Sequence, residues 1–252
     1  MFLSGVGSLM RDSPNRPRSA GWGNEPPLVV FILGPPGAGK ETHSKRLRRD
    51  FRGLTHLSYG DLLRYQASIP GSWVSGFPRR NGGVDGDPVL PPADAVRLLR
   101  ETMGSGVARG QRAWLVDGFP RTKEHMDVWA DGRMPRPRCA LFLECDGPAL
   151  VDRILTRAAA SGRAADADVT VAHERVERNM RASAAMLQTC SECDVPVIKI
   201  DAGRDLNTVY QDISRCFKVS SCSLPTYSTG YRYPSSTSCS LLRYSTRHRR
   251  YG

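Results

Sequence analysis

The stretch that decides the fold is VVFILGPPGAGKETHSKRL, residues 29–47. It begins with apolar and β-branched residues, which is typical of a buried parallel strand. Gly34, Gly39 and Lys40 follow with the GxxxxGK spacing of a phosphate-binding loop, directly before a helical segment. Glycines let backbone N–H groups face phosphate oxygens, and the helix N-terminus adds partial positive charge. The stretch therefore predicts a nucleotide-phosphate site.

The residue after the lysine departs from this pattern. Glu41 stands where the strict pattern has Ser or Thr, and Thr42 follows it. A carboxylate about 5 Å from a phosphate charge costs about 3 kcal/mol per unit charge at an effective dielectric constant near 20. Three alternatives stay open: Glu41 weakens ATP binding, points outward, or replaces the usual hydroxyl as a magnesium ligand.

Short apolar runs alternate with helical segments along the chain. This alternation predicts a mostly parallel sheet covered by helices on both faces, hence an α/β fold. The five predicted strands lie at about residues 27–34, 55–58, 139–145 and 195–202 and within residues 113–121. The predicted helices lie at about residues 40–51, 59–66, 92–107, 122–131, 147–160, 169–192 and 205–217.

Composition indicates a globular chain with basic ends. Apolar residues make up 40% and charged residues 24%, and no apolar run is long enough to span a bilayer. Most of the +11 formal charge lies in residues 1–24 and 218–252, and only about +3 remains between them. We therefore expect no nucleic-acid site on the body, which would require clustered basic residues there.

The two ends are predicted to lie outside the folded body. Residues 1–26 are interpreted as a flexible N-terminal extension, and residues 218–252 as a disordered basic tail. A cytoplasmic location is expected, and organelle targeting is left open because the extension weakly resembles an organelle transit peptide. The seven cysteines are an odd number, and Cys190 and Cys193 are interpreted as ordinary thiols near a helix end.

Five motifs carry a resemblance to a known family. In chain order they are LGPPGAGKETH, THLSYGDLLR, LVDGFPR, RILTRAAASGRAAD and RVERNM. Residues 27–217 thereby resemble nucleoside monophosphate kinases, the adenylate kinase and UMP-CMP kinase family. The resemblance implies a P-loop five-stranded parallel sheet flanked by helices, with an acceptor-binding insertion at about 58–90 and a short lid at about 157–168. It also implies a monomer that reversibly transfers a phosphoryl group from ATP, with Mg²⁺, to UMP, CMP or AMP.

The resemblance assigns roles to individual residues. Phosphoryl transfer depends on positioning and charge stabilisation, for which arginine forks suit phosphate oxygens. The residues implied to bind ATP are Gly34, Gly37, Ala38, Gly39, Lys40, Glu41, Thr42, Arg153 and Arg157. Those implied to bind the monophosphate are Ser58, Tyr59, Arg64, Val89, Gly118, Arg121 and His125. Lys40, Arg121, Arg163 and Arg175 are the implied catalytic residues, and Asp117 would hold magnesium through water.

Several positions besides Glu41 depart from the family pattern. Tyr59 replaces Thr or Ala and would narrow the acceptor pocket, and His125 replaces the Gln or Asn that reads the base. Residues 71–88 are broken by glycine and proline, and the lid carboxylate pair is reduced to Asp166. Two alternatives stay open: a nucleotide-binding protein with weak or lost activity, and a P-loop kinase with a non-nucleotide acceptor.

Overall fold

A computed structural model describes residues 22, 26–79, 87–161 and 168–221. It contains one five-stranded sheet in which every neighbouring pair is parallel. The strands are β1 (Leu28–Leu33), β2 (Leu54–Ser58), β3 (Ala113–Asp117), β4 (Cys139–Glu144) and β5 (Val197–Asp201), in the spatial order β2-β3-β1-β4-β5. The predicted fold class and all five strands are confirmed.

Seven α-helices connect and cover the strands in the described part of the chain. They are α1 (Lys40–Asp50), α2 (Tyr59–Ser68), α3 (Pro92–Ala108), α4 (Lys123–Asp131), α5 (Gly147–Ser161), α6 (Val169–Glu192) and α7 (Leu206–Ser221). A short 3-10 helix at Trp73–Gly76 is the helical part of the predicted broken region between α2 and α3. Each helix lies where the sequence predicts it, and α7 extends four residues further.

The core forms around β1, the central strand. Val29, Phe31 and Ile32 have no exposed surface, because β3 and β4 flank this strand and helices cover the sheet. Phe31 packs edge-on against Trp129 of α4, with ring centroids 5.4 Å apart. A continuous apolar run is what a parallel strand buried on both faces requires.

Side-chain caps fix where three helices begin. The Ser58 hydroxyl accepts from the Asp61 N–H at 3.3 Å, and the Thr122 hydroxyl accepts from the His125 N–H at 3.4 Å. The Asp168 carboxylate accepts from two N–H groups in the first turn of α6. Each cap satisfies backbone donors that the helix itself leaves unpaired.

Trp22 differs from the expectation for the N-terminal extension. It falls inside predicted extension 1–26, yet it is 6% exposed and belongs to the core. Its indole Nε1 donates to the Arg133 carbonyl at 3.0 Å. Burial of a large aromatic ring with its polar atom paired is favourable, and this outweighs the polar composition around it.

Several predictions lie outside the described residues. These are the rest of the N-terminal extension, residues 80–86 of the insertion, lid residues 162–167 with Arg163 and Asp166, and tail residues 222–252. The chain divides into two compact units, Met1–Arg215 and Cys216–Gly252. The first contains the whole sheet, and the described residues of the second complete α7.

Across the described ranges, no helix combines the length and apolarity needed to cross a bilayer. Cys190 and Cys193 are free thiols at the end of α6, as predicted. Burial raises the pKa of Cys190 to about 11, so this thiol stays protonated near neutral pH.

Candidate active site

The phosphate loop, residues 34–40, lies at the carboxyl edge of the sheet. It follows β1, whose neighbours β3 and β4 lie on opposite sides, so the strand order changes direction here. Parallel α/β sheets bind ligands outside the carboxyl ends of their strands at such a point. Asp117, the last residue of β3, pairs in register with Ile32 near the end of β1. The topology therefore brings Asp117 to the phosphate loop.

Two glycines of the phosphate loop have no room for a side chain. Gly34 has φ +135°, and a Cβ there would lie 2.5 Å from the Leu143 carbonyl oxygen of β4. Gly37 has φ +86°, and a Cβ there would lie 2.9 Å from the Leu150 carbonyl oxygen of α5. Both positions combine a left-handed backbone with close packing, so they require glycine. The loop conformation is held by the surrounding backbone.

The Lys40 side chain forms hydrogen bonds with the backbone of the phosphate loop. Its Nζ donates to the Gly34 carbonyl at 2.8 Å and to the Pro35 carbonyl at 2.9 Å. Burial lowers the pKa of Lys40, as do the positive charges of Arg157 and Arg175, whereas Asp117 raises it. The ammonium thus lies within the electrostatic reach of the three side chains that the sequence assigned to phosphates and magnesium.

Glu41 lies away from the interior of the phosphate loop. Its carboxylate accepts from Lys45 Nζ at 2.7 Å, one turn further along α1, and the Glu41 side chain is 56% exposed. Of the three alternatives for this residue, the structure shows the outward orientation. Thr42 is also exposed, while Ala38 is buried within the loop.

Three arginines on α5 and α6 are the remaining residues that the sequence assigns to ATP. We call the phosphate loop together with Arg153, Arg157 and Arg175 the donor side of the site. Arg153 Nη1 donates to the Ala202 carbonyl at 2.9 Å and approaches the Cys145 sulfur at 3.7 Å. Arg157, one turn later on α5, and Arg175 on α6 both act on the pKa of Lys40. The structure therefore brings Arg157 of α5 and Arg175 of α6 close to Lys40, more than 110 residues earlier in the chain.

Arg64 and Arg121, which we call the arginine pair, share one carboxylate. We call the arginine pair together with Tyr59 and His125, the residues that the resemblance assigns to the monophosphate, the acceptor side. Arg64 Nη1 donates to Asp87 Oδ1 at 2.6 Å, and Arg121 Nη2 lies 4.0 Å from Asp87 Oδ2. Arg64 also pairs with Asp61 on its own helix. Sequence reasoning missed Asp87, because its only signal was an acidic residue in a glycine-rich stretch. Arg64, Arg121 and Asp87 therefore form one charged cluster, although the sequence predicted the two arginines separately.

Arg121 is oriented from two further directions. Its Nε donates to the Gly118 carbonyl at 3.0 Å, and its Cζ lies 4.9 Å from the centre of the Tyr59 ring. Tyr59 is 2% exposed and packs edge-on against Phe119, which precedes a cis peptide bond to Pro120. A guanidinium over an aromatic face is attracted by the ring quadrupole. Tyr59 thus packs between Phe119 and Arg121 and helps to hold the Arg121 guanidinium in place.

His125 presents a neutral, buried imidazole. It is 7% exposed and lies edge-on to Phe119, with ring centroids 5.0 Å apart. Burial and the nearby charge of Arg121 lower the pKa of His125 to about 4. Its Nδ1 lies 3.1 Å from the Thr122 hydroxyl, whereas its buried Nε2 has no hydrogen-bond partner among the described residues.

The remaining acceptor-side predictions occupy less enclosed positions. Ser58 caps α2, and Gly118 adopts φ +74° between Asp117 and the cis peptide bond. Val89 is 46% exposed, and its N–H donates to the Pro78 carbonyl at 2.8 Å. Gly118 contacts the arginine pair directly, because its carbonyl accepts from Arg121 Nε, whereas Ser58 caps the helix that carries Arg64.

Asp117 is the carboxylate available to a magnesium ion near the phosphate loop. Its Oδ2 lies 3.8 Å from His56 Nε2, and its side chain is 13% exposed. In the part of the chain that the structure describes, no group of three or more His, Cys, Asp or Glu residues could hold a metal. Mg²⁺ binds proteins through one or two carboxylates together with substrate phosphates and water. The residues therefore fit an ion that arrives with ATP.

Comparison with known proteins agrees with this geometry. The adenylate kinase family model matches residues 32–195. The chain is 31% identical to a rat UMP-CMP kinase over 196 residues, which cover 76% of this chain and 97% of that protein. It is 30% identical to the human UMP-CMP kinase over 196 residues with the same coverage. A zebrafish UMP-CMP kinase is 30% identical over 192 residues, with 74% and 95% coverage.

The fold and the site define a P-loop phosphotransferase of the nucleoside monophosphate kinase class. The chain belongs to the adenylate kinase family. The resemblance drawn from the sequence motifs is thereby confirmed, as is ATP-dependent phosphoryl transfer to a nucleoside monophosphate as the class of reaction. No observation favours loss of activity, and Glu41 no longer argues for it because the side chain lies outside the loop.

Proposed function

We propose that the chain catalyses reversible transfer of the γ-phosphoryl group of MgATP to UMP or CMP. The observation that carries this proposal is the arrangement of Lys40 among Asp117, Arg157 and Arg175. Such a cluster can neutralise the charge that develops on a transferring phosphoryl group, and it acts more strongly because Lys40 is withdrawn from water. The names of the relatives support pyrimidine monophosphates as acceptors.

The donor side holds the ATP phosphates in this proposal. The glycines of the phosphate loop keep backbone N–H groups free to face phosphate oxygens, and α1 begins directly after the loop. Lys40 exchanges its bonds to the Gly34 and Pro35 carbonyls for the β- and γ-phosphates. Asp117 would hold a magnesium ion through water, and the ion would supply positive charge against the ATP phosphates.

The arginine pair holds the acceptor phosphate. Planar guanidinium groups can bind two phosphate oxygens each, which fixes the direction of the attacking oxygen. That oxygen is already an anion, so no side chain has to remove a proton from it. It bonds to the γ-phosphorus as the bond to the β–γ bridging oxygen breaks, and ADP leaves. Arg175, whose charge acts on Lys40, and Arg163, by the resemblance of its motif, are the arginines assigned to the transferring group.

His125 supplies a hydrogen-bond acceptor for the base. His125 Nδ1 lies 3.1 Å from the Thr122 hydroxyl, and in this proposal Nδ1–H donates to that oxygen. This assigns the tautomer in which Nε2 carries a lone pair. Uracil offers its N3–H and cytosine its 4-amino group to such an acceptor. Tyr59 narrows the pocket and favours these smaller bases over purines.

The experiment is a comparison of acceptors with the full chain. Formation of ADP from MgATP is measured with AMP, UMP, CMP and GMP in turn, together with Arg121→Lys. We expect turnover with UMP and CMP, and a kcat/KM for Arg121→Lys lowered by roughly 100-fold, because lysine loses the planar fork. Arg181→Lys, an exposed arginine paired with Glu177 on α6, is the matched control and should stay within about twofold.

The outcomes separate the proposal from its competitors. Turnover with AMP alone would keep the class of reaction and overturn the choice of a pyrimidine acceptor. ATP binding without turnover for any monophosphate would contradict the proposed activity. Equal losses in Arg121→Lys and Arg181→Lys would show that Arg121 has no special role in holding the acceptor.

A further inference from the structure

The Asp87 carboxylate lies between the two members of the arginine pair. Oδ1 accepts from Arg64 at 2.6 Å, and Oδ2 lies 4.0 Å from Arg121. Each carboxylate oxygen therefore faces a different guanidinium, as the oxygens of a bound phosphate would. The Asp87 side chain is 24% exposed and the Arg64 side chain 45% exposed, so this ion pair is partly open to solvent and its partners can be exchanged.

The beginning of α2 adds a third favourable element around this carboxylate. A Cβ on Gly60 would lie 3.7 Å from Asp87 Oδ2 and 3.5 Å from Arg64 Nη1. The carboxylate thus lies beside the first turn of a ten-residue helix, where the N–H groups carry partial positive charge. Two guanidinium groups and a helix N-terminus converge on one anion, and that anion belongs to the chain itself.

We infer that Asp87 is an internal competitor for the acceptor phosphate, which must displace its carboxylate from the arginine pair before phosphoryl transfer. The inference rests on the proposed role of Arg64 and Arg121. A phosphate dianion and the Asp87 carboxylate cannot share the pair without strong repulsion, since Asp61 already balances part of the charge on Arg64. Only a strongly charged acceptor can replace the carboxylate.

The competition has a consequence for substrate choice. A monophosphate ester carries up to two negative charges and binds the arginine pair better than one carboxylate does. A nucleoside carries none, and a phosphodiester carries one, so neither gains by displacing Asp87. Asp87 thereby excludes weakly charged ligands. It also lowers the affinity for the correct acceptor, so discrimination between ligands is gained at the expense of binding strength.

The test is Asp87→Asn in the full chain. This change removes one charge but keeps an oxygen that can accept from Arg64. We expect the KM for UMP or CMP to fall by roughly tenfold or more, with kcat and the KM for ATP within about twofold, because a charge close to the phosphate is removed from the ground state and the transition state alike. Calorimetric titration with UMP should show the same increase in affinity.

Two variants control this test. Asp127→Asn removes an exposed carboxylate paired with Lys123 at 3.0 Å on α4 and should leave both KM values unchanged. Asp87→Glu keeps the charge and should stay close to the unchanged chain. Circular dichroism spectra of the variants check that each one folds.

An unchanged or higher KM for the acceptor in Asp87→Asn would overturn the inference. A fall in kcat alone would do so as well, because it would mean that Asp87 orients the arginines for transfer. If the unchanged chain shows no turnover with any monophosphate, the proposed function fails, and the calorimetric affinities for UMP and inorganic phosphate still decide the role of Asp87. Equal affinities of the unchanged chain and of Asp87→Asn for these ligands would then refute the inference.

Discussion

The phosphate loop and the arginine pair are two candidate anion sites in one molecule. Backbone groups form the first, and side chains form the second. The loop is shaped by backbone, since a Cβ on Gly34 would lie 2.5 Å from a carbonyl oxygen of β4. The arginine pair is shaped by side chains, since Arg64 and Arg121 are held by Asp87 and Tyr59. A backbone site is fixed before ligand arrives, whereas a side-chain site can exchange its partners.

This difference explains why the two sites tolerate change differently. Atoms of the loop are fixed by neighbours on β4 and α5, so an added methyl group meets main chain that cannot move aside. Arg64 is 45% exposed, and its partners are flexible carboxylates. We therefore expect substitutions at the loop to cost both folding and binding, and substitutions around the arginine pair to alter mainly the acceptor.

The largest effect is expected for Lys40→Met. The substitution removes the ammonium that faces the Gly34 and Pro35 carbonyls and should lower kcat by about 10³-fold, as expected for loss of a buried charge at a transferring phosphoryl group. Steady-state assays with MgATP and UMP measure it. Lys45→Met, which removes only the exposed partner of Glu41, is the control and should change kcat by less than about twofold.

Gly34→Ala tests whether the loop is held by backbone packing. We expect the free energy of unfolding to fall by roughly 2–4 kcal/mol, since the methyl group meets the Leu143 carbonyl and φ is +135°. Gly53→Ala is the matched control, because Gly53 has φ +88° but nothing within 4 Å of its Cβ position. It should cost roughly 1 kcal/mol for the backbone conformation alone. Urea unfolding that gives equal losses would mean that strain, not packing, fixes the loop.

His43 near the phosphate loop and His125 near the arginine pair are both buried, so the effect of pH on stability can be compared between the two sites. Burial lowers the pKa of His43 on α1 and of His125 on α4 to about 4, against about 6.5 in an unfolded chain. The unfolded state therefore binds more protons between these values, so stability is fully present above pH 6.5 and is lost as pH falls toward 4. Each histidine should contribute a slope of about 1.4 kcal/mol per pH unit within this window.

Single and double glutamine variants test this expectation. His43→Gln and His125→Gln should each remove one part of the slope when urea unfolding is followed from pH 7.5 to 4.5. The double variant should lose both parts, because the residues lie on different helices and share no contact that would couple them. A slope that survives in the double variant would mean that carboxylates or other groups control acid sensitivity.

The smallest effect is expected for Glu41→Gly. The Glu41 carboxylate pairs with Lys45 on the surface of α1, so its removal should change the KM for ATP by less than about threefold. Steady-state titration of MgATP measures the change, with Glu41→Gln as the variant that keeps the length of the side chain. A tenfold lower KM in both variants would place the carboxylate near the phosphates when ATP is bound.

Much of the architecture could be predicted from local patterns. The apolar run at residues 28–33 and the glycines after it specify a buried strand and a phosphate loop, because only these residues suit such packing and such φ values. The caps at Ser58 and Thr122 likewise fix helix starts close to where the sequence placed them. These features depend on neighbours in sequence, so sequence alone carries them.

Other features depend on partners that lie far apart in the chain. Nothing near Trp22 indicates that its indole would meet the Arg133 carbonyl, and nothing near Asp87 indicates that it would join Arg64 to Arg121. The direction of Glu41 was equally open, because a charge next to a phosphate loop can face either side of α1. Such contacts are settled only when the elements are packed.

The sequence by itself determined the α/β class, the strand and helix positions, and the family, because periodicity, glycine placement and motif spacing are local properties. Only the tertiary structure decided that Glu41 lies outside the loop, that Tyr59 supports Arg121, and that Asp87 lies between two arginines. The physical reason is that electrostatic and packing energies depend on distance in space, and folding brings together charges that the chain keeps apart.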